Sequence, residues 1–139
     1  MMKTLVRFRS NKFPPYEGEE EQINPGLYGK RLAEYLVEKL KEMKIETEQI
    51  IPEDWGWYIP IRNDGFRLAI CCAHQKSGDD PSAWSQDDTF VCSTDPPKPV
   101  FRKWFKKIDA TEQLGRLIAA MDRILTSDSE IRDVEWEDE

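Results

Sequence analysis

The strongest constraint on the fold is a predicted β-hairpin centred on Asp64-Gly65. Apolar residues alternate with other residues on both sides of this dipeptide, over 57–61 and 66–72. Asp-Gly is typical of a two-residue hairpin turn, because Gly adopts positive φ at little cost and the turn matches the strand twist. Counting outward from the turn predicts three apolar cross-strand pairs on one face, namely Ile61 with Leu68, Ile59 with Ile70 and Trp57 with Cys72.

Two amphipathic helices are predicted to cover that apolar face. Apolar residues recur at spacings of three and four over about 25–44 and again over about 110–126. Asn24-Pro25 suits the start of the first helix, because Asn accepts a bond from an unpaired amide and Pro fits the first helical position. Asp109, with Glu112 three residues later, forms a capping-box pattern for the second helix.

Four further extended segments complete the predicted pattern. We expect a strand at 5–9, a strand or extended segment at 45–51, a strand at 89–93 that ends before Pro96-Pro97, and a last strand at 131–136. The predicted order is β–α–β–β–β–β–α–β. A sheet with one apolar face can bury both helical stripes, so we predict an α+β two-layer sandwich with a mainly antiparallel sheet and both helices on one face.

The length of 139 residues is typical of one domain, and we expect residues 1–139 to form a single α+β domain. Residues 11–23 contain two adjacent prolines and a run of glutamates, which predicts an exposed acidic loop. Residues 137–139 are predicted to form an acidic tail.

The net charge and the distribution of apolar residues make nucleic acids and membranes unfavourable binding partners. The formal net charge of −7 disfavours binding to nucleic acid, because the phosphate backbone is also negative. No apolar run is long enough to span a membrane and the first residues do not resemble a secretory signal, so we expect a cytoplasmic protein with no membrane partner. The three cysteines imply no disulfide framework, which favours a reducing compartment.

Cys71, Cys72, His74 and Cys92 are the residues that most suggest a metal or a nucleophile. Their spacing fits no standard zinc pattern, and no nucleophile elbow or glycine-rich phosphate loop is evident. We therefore predict no metal site, no cofactor and no assigned catalytic residue. Cys72 is expected to be a small core residue and His74 to lie at a strand end.

Three segments together resemble a known family. The segments 24–30, 52–57 (Pro-Glu-Asp-Trp-Gly-Trp) and 131–134 are similar to those of a family of small bacterial proteins with a PEDWGW-like motif and no assigned activity. The resemblance covers about residues 24–136. It implies a bacterial, cytosolic origin and transfers no catalytic residues to this chain.

Glu53, Asp54 and Trp55 form the most unusual local sequence. Paired carboxylates beside aromatic rings can bind cations or sugars, or act as acid and base. The alternative is a turn at the entrance to the sheet, in which the acids face water and the aromatic rings cover the core and an edge.

The arginines form a second candidate binding site. On the predicted hairpin Arg62 lies opposite Arg67, on the face away from the core, where like charges need a neutralising partner. Arg7 and Arg9 lie on the corresponding face of the first strand. If that strand neighbours the hairpin, the four guanidinium groups share a surface suited to an anion or an acidic peptide. The alternative is a salt-bridged surface completed by the last strand through Asp133 and Glu135.

The loop at 11–23 is a candidate interaction surface. Its candidate residues are an aromatic ring and four carboxylates, namely Tyr16, Glu17, Glu19, Glu20 and Glu21. The alternative is a solvated loop without a partner.

These features favour a non-enzymatic protein-binding domain, whose partner is a basic protein or a second copy of the chain. An acidic immunity-type protein that neutralises a basic toxin is one such function, because opposite charge steers association. The alternative is a small enzyme or an anion-binding domain that uses Glu53, Asp54, His74 and the arginines. Four tryptophans exceed what a small core needs and are also compatible with self-association, namely Trp55, Trp84, Trp104 and Trp136.

Overall fold

The computed structural model describes residues 3–14, 16, 29–53, 56–62, 66–75, 88–99 and 111–137. Within these residues, six strands and two helices follow one another in the predicted order. They are β1 (Leu5–Ser10), α1 (Lys30–Glu42), β2 (Ile51–Glu53), β3 (Gly56–Ile61), β4 (Phe66–Gln75), β5 (Asp88–Pro99), α2 (Thr111–Ser127) and β6 (Ile131–Glu137). The α+β class is confirmed.

The six strands form one antiparallel sheet in the order β2-β3-β4-β5-β1-β6. The hairpin register is confirmed, because Trp57 pairs with Cys72, Ile59 with Ile70 and Ile61 with Leu68. The turn at 63–65 lies outside the described residues. A slip of one residue would move every one of these apolar side chains to the other face, so burial fixes the register.

Both helices pack on the same face of the sheet, as predicted. The apolar stripes of α1 and α2 and the inward residues of the strands form one buried cluster. Its largest fully buried side chains are Trp57, Phe8, Phe90, Leu32, Leu36, Leu40, Ile59, Ile70, Leu117, Met121 and Leu125. The two-layer sandwich therefore has a single core between sheet and helices.

The first helix begins later than predicted. It starts at Lys30, whereas the sequence predicted a start near residue 25, and Asn24-Pro25 lies outside the described residues. Gly29 immediately precedes the helix with φ of 156°, where a Cβ would lie 3.4 Å from Trp57 Cδ1. A φ of 156° is far from helical values and is adopted mainly by glycine, so the helix does not extend through Gly29.

Strand β5 runs through Pro96-Pro97 to Pro99, so the prediction that these prolines end it was wrong. Strand β1 starts opposite Ser93, and beyond Thr94 the described residues of β5 pair with β4 alone. The β4–β5 register also shifts between Arg67 and Ala69. Proline lacks an amide hydrogen and is tolerated on a strand edge or beside a bulge, which explains why the strand continues.

Two predicted surface segments contribute to the folded body instead. In the predicted exposed loop, Phe13 is only 2 % exposed, and its ring packs 5.2 Å from that of Tyr35 and 5.6 Å from that of Phe90. Glu137, predicted to open the acidic tail, is the last residue of β6. The edge strand β2 covers Ile51–Glu53. Of the strand or extended segment predicted at 45–51, only Ile51 belongs to a strand, and residues 52–53, predicted as the start of a turn, continue it.

Neither of the helices within the described ranges combines the length and the apolar character needed to cross a membrane.

The end of α1 is a tight turn that places Lys44 in the left-handed region, with φ of 64°. The amide of Ile45 donates to the carbonyl of Leu40 and the amide of Lys44 donates to that of Lys41, as in a Schellman motif. A side chain at this position carries a steric cost that glycine avoids.

Replacing Lys44 with Gly is expected to raise the free energy of unfolding by about 0.5–1 kcal/mol, because the left-handed cost disappears. Urea unfolding of the two proteins measures the change. Lys41→Gly, one turn earlier inside the helix, is the matched control and is expected to lower stability by about 1 kcal/mol. Equal losses of stability in Lys44→Gly and Lys41→Gly would contradict the steric cost assigned to Lys44.

Candidate functional site

A segment rich in carboxylates begins at the turn after α2 and runs along β6. We call residues 128–137 the acidic edge. This segment contains five carboxylates and one arginine, namely Asp128, Glu130, Asp133, Glu135 and Glu137 with Arg132. Strand β6 is the last strand of the sheet order, and its outer side pairs with no strand in the described part of the chain.

Asp128 anchors the start of the acidic edge. Its Oδ2 atom accepts hydrogen bonds from Tyr35 Oη at 2.7 Å and from Lys12 Nζ at 2.6 Å. Its Oδ1 atom accepts the backbone amide of Glu130 at 2.9 Å, which closes the turn into β6. One carboxylate thus connects α1, the segment after β1 and the start of the last strand.

The hydrogen bonds also set the charge state of this cluster. Burial alone would raise the pKa of Asp128, but the bonds from Lys12, Tyr35 and the Glu130 amide outweigh it and hold that pKa at about 2. Burial, followed by the bond to Asp128, raises the pKa of the Tyr35 phenol. At neutral pH Asp128 is therefore ionised and Tyr35 protonated. Neither group titrates near pH 7, where general acid–base catalysis is most effective.

Three further contacts fix the backbone and the inner face of the acidic edge. Ser10 Oγ donates to the carbonyl of Glu130 at 2.9 Å. Near the other end, the indole nitrogen of Trp136 donates to Asp122 Oδ1 at 2.9 Å, which ties β6 to α2. Arg7 forms a salt bridge with Glu137. The segment is thus held at both ends by side chains from other elements.

A bulge divides the acidic edge. Arg7 lies opposite Glu135 and Arg9 opposite Arg132, which leaves Asp133 and Val134 facing the single residue Phe8. Asp133 has φ of 55°, a left-handed conformation that Asp and Asn adopt more readily than most residues. Bulges bend a strand and redirect its side chains.

Three carboxylates of the acidic edge lie on the surface of the described part of the chain. Glu130, Asp133 and Glu135 are all exposed. In contrast to Asp128 and Glu137, they make no salt bridge with any other residue within the described ranges.

An open groove of about 770 Å³ lies beside the start of the acidic edge, between α1 and the turn after α2. Its walls combine charged, hydroxyl and apolar side chains, namely Tyr35, Lys39, Glu42, Met43, Arg123, Ile124, Ser127, Asp128 and Ser129. The ring of Tyr35 lies below two ammonium groups, 4.7 Å from Lys12 Nζ and 5.7 Å from Lys39 Nζ. The groove therefore mixes both signs of charge.

The structure does not bring the four predicted arginines together. Strand β5 lies between β4, which carries Arg67, and β1, which carries Arg7 and Arg9. The condition for a shared guanidinium surface, that the first strand neighbours the hairpin, is not met. Strand order depends on long-range pairing, which the local pattern does not specify.

Each described arginine of that set has its own surroundings. Arg62 follows β3 and donates to Glu46 at 3.0 Å and to Glu48 at 3.1 Å, and the hydrogen bond to Glu48 is the main reason that its pKa is raised. Arg67 lies opposite Lys98 in the β4–β5 ladder. The alternative of a salt-bridged surface agrees with the contact of Arg7, although its bonded partner is Glu137.

The other sequence-predicted site residues are also dispersed. Glu53 lies exposed at the end of β2, while Asp54 and Trp55 are outside the described residues. Tyr16 donates to Glu34 Oε1 at 2.5 Å, and the Arg31 guanidinium lies 3.9 Å from its ring centre. Glu17, Glu19, Glu20 and Glu21 are outside the described residues. Trp84 and Trp104 are likewise outside them.

Cys72 is fully buried, as predicted for a core residue. His74 lies one residue before the end of β4, 3 % exposed, with its ring 5.4 Å from that of Phe90. Among the residues that the structure describes, no three His, Cys, Asp or Glu side chains are placed to hold a metal ion.

The anchoring cluster of Lys12, Tyr35 and Asp128 was not found by sequence reasoning. Its members are separated by 23 and 93 positions along the chain and follow no known motif. The only local signal is the polar stretch at 127–130, whose Ser and Asp residues are typical of a turn and do not indicate contacts with Lys12 or Tyr35.

Replacing Asp128 with Asn is expected to lower the free energy of unfolding by about 2 kcal/mol at pH 7, because the depressed pKa reflects stabilisation of the ionised form. The folded-state pKa of about 2 lies below the ordinary value of 3.8, so this contribution is present above about pH 4 and is lost as the pH falls towards 2. Urea unfolding at pH 7, 4 and 2.5 measures it.

Glu38→Gln, which removes one charge from the exposed side of α1, is the matched control and is expected to change stability by less than about 0.5 kcal/mol. A constant difference between wild type and Asp128→Asn across this pH range would contradict the assigned ionisation.

The chain was compared with protein-family models, with curated proteins and with solved structures. None of the three comparisons found a match. The resemblance to the family with the PEDWGW-like motif therefore stays a prediction, and the functional argument depends on the geometry of the acidic edge.

Proposed function

We propose that the protein is a non-enzymatic protein-binding domain that holds a basic partner along its acidic edge. The observation that carries this proposal is the exposure of Glu130, in the turn before β6, and of Asp133 and Glu135 on β6, a strand anchored at the border of the sheet. Rigid presentation lowers the entropic cost of ordering these side chains on binding.

The backbone of β6 offers a second kind of contact. An edge strand presents amide and carbonyl groups to which an extended peptide can add as a further strand. The bulge at Asp133 and Val134 interrupts this ladder, so residues 135–137 are the regular part available for pairing. Main-chain bonds would then supply affinity, and the carboxylates would select basic side chains in the partner.

A basic partner is favoured over a second copy of the chain. Two β6 strands paired edge to edge would bring together two segments that each carry three carboxylates and one arginine. Like charges on neighbouring strands destabilise the pairing. Lysine or arginine side chains on a partner remove that repulsion and accelerate association through electrostatic steering.

Neutralisation of a basic toxin by an acidic immunity-type protein is a function of this kind. The support for it is the net charge of −7 together with the exposure, at one border of the sheet, of three carboxylates that form no salt bridge within the described ranges. In this proposal the domain covers a cationic surface of the toxin, and its own fold changes little.

The alternative of an enzyme or an anion-binding domain has less support. Glu53, His74 and Arg62 lie respectively on an edge strand, in the core, and in contact with two glutamates. Anion binding requires convergent donors, and catalysis requires groups of suitable pKa in one cavity.

The proposal predicts that an extended basic peptide binds at β6. The probe is a synthetic octapeptide of alternating Lys and Val, compared with one of alternating Glu and Val, in a titration of ¹⁵N-labelled full-length protein. We expect the Lys peptide to shift amide resonances of residues 130–137. Raising the salt from about 20 to about 300 mM is expected to weaken binding, because exposed charges are screened. The Glu peptide is expected to leave these resonances unchanged.

Two triple variants distinguish binding at the acidic edge from binding that depends only on the net charge of the protein. Glu130→Gln, Asp133→Asn and Glu135→Gln together are expected to reduce affinity for the Lys peptide at least tenfold, and Asn preserves the left-handed preference at the bulge. Glu38→Gln, Glu53→Gln and Glu112→Gln remove the same number of exposed charges elsewhere and are expected to retain binding. Equal losses in the two triple variants would refute a specific role for the acidic edge.

A further inference from the structure

Two buried thiols face each other at the centre of the sheet. Cys72 on β4 pairs directly with Cys92 on β5, and their Sγ atoms are 3.7 Å apart. Both residues are 0 % exposed and belong to the core cluster. Cys71, the neighbour of Cys72, is partly exposed and lies on the opposite face of the strand.

The backbone at this position is compatible with a disulfide. Directly opposed residues of antiparallel strands have Cα atoms about 4.5–5.5 Å apart, within the range of about 4.4–6.8 Å that disulfides require. The two sulfur atoms must approach from 3.7 Å to a bond length of about 2.05 Å, which rotation about the side-chain torsions can supply. The strands themselves can therefore stay paired.

We propose that Cys72 and Cys92 form an oxidisable dithiol that a peroxide converts to a disulfide across β4 and β5. One thiol loses its proton and attacks a peroxide oxygen, which breaks the O–O bond and gives a sulfenic acid and water. The second sulfur then attacks the sulfenic sulfur, forms the S–S bond and releases a second water. With hydrogen peroxide, two thiols and one oxidant give one disulfide and two waters, so atoms and electrons balance.

The core environment slows the oxidation of Cys72 and Cys92 while the sheet remains closed. The hydrogen-bonded contact with Cys92, followed by burial, raises the pKa of Cys72 well above its ordinary value. The thiolate is the reactive form, so oxidation requires local opening of the sheet or a higher pH. Cys71 is the competing thiol, because it is the partly exposed one.

The bond would connect the two halves of the sheet. Strands β2, β3 and β4 lie on one side of the β4–β5 ladder, and β5, β1 and β6 lie on the other. A disulfide between positions 72 and 92 would close a loop of about 20 residues and restrict the unfolded chain. Oxidation would therefore stabilise the sheet against separation of its halves, independently of any partner at β6.

The test uses the full-length chain with Cys71→Ser, which removes the competing thiol. The reduced protein is treated with hydrogen peroxide at pH 8, and intact mass and non-reducing peptide mapping follow the product. We expect monomeric protein that has lost two hydrogen atoms, a linked peptide pair containing Cys72 and Cys92, reversal by dithiothreitol, and a higher urea midpoint.

Cys71→Ser combined with Cys92→Ser is the control and is expected to show no loss of two hydrogens and no rise in midpoint. Wild-type protein gives a second measurement, because peptide mapping identifies the 72–92 link even when Cys71 is also modified. The proposal fails if both thiols stay reduced while the same treatment oxidises urea-unfolded protein, or if the folded protein gains only oxygen atoms or forms only intermolecular disulfides.

Discussion

The packing of the rest of the fold depends on the apolar face of the β3–β4 hairpin. Trp57, Ile59 and Ile61 meet Cys72, Ile70 and Leu68 across the ladder, and this surface is where α1 and α2 can bury their own stripes. Because side chains alternate between the two faces, residues on the opposite face and at the borders of the sheet are not needed to pack against the helices. The acidic edge lies at one of those borders, three strands away from β4.

The acidic edge combines exposed carboxylates with a backbone that contacts to other elements hold in place. The partly buried ends of the segment contact α1, α2 and β1, whereas Glu130, Asp133 and Glu135 between them are exposed. The side chains that anchor the strand are therefore different from its exposed carboxylates. The bulge at Asp133 interrupts the regular ladder between β1 and β6 and redirects the side chains there.

The sequence predicted what depends on local periodicity and failed where distant residues decide. Hairpin register followed from counting around Asp64-Gly65, and the stripe of α2 placed that helix within one residue of its observed ends. The start of α1 is set instead at Gly29, whose φ of 156° is not helical. The arginine surface required a strand order that no local pattern supplies, and β5 separates its members. The Asp128 cluster joins residues from three distant parts of the chain, so it can be recognised only in the folded structure.

The pairing of β1 with β6 has a consequence for how the fold assembles. These strands are the first and last in the described sequence, so their contact closes the longest loop in the sheet. Such non-local pairs carry the largest entropic cost and generally form late in folding, after a hairpin such as β3–β4 has become structured. We therefore expect the acidic edge to form late in folding, because β6 reaches its place in the sheet only when it pairs with β1.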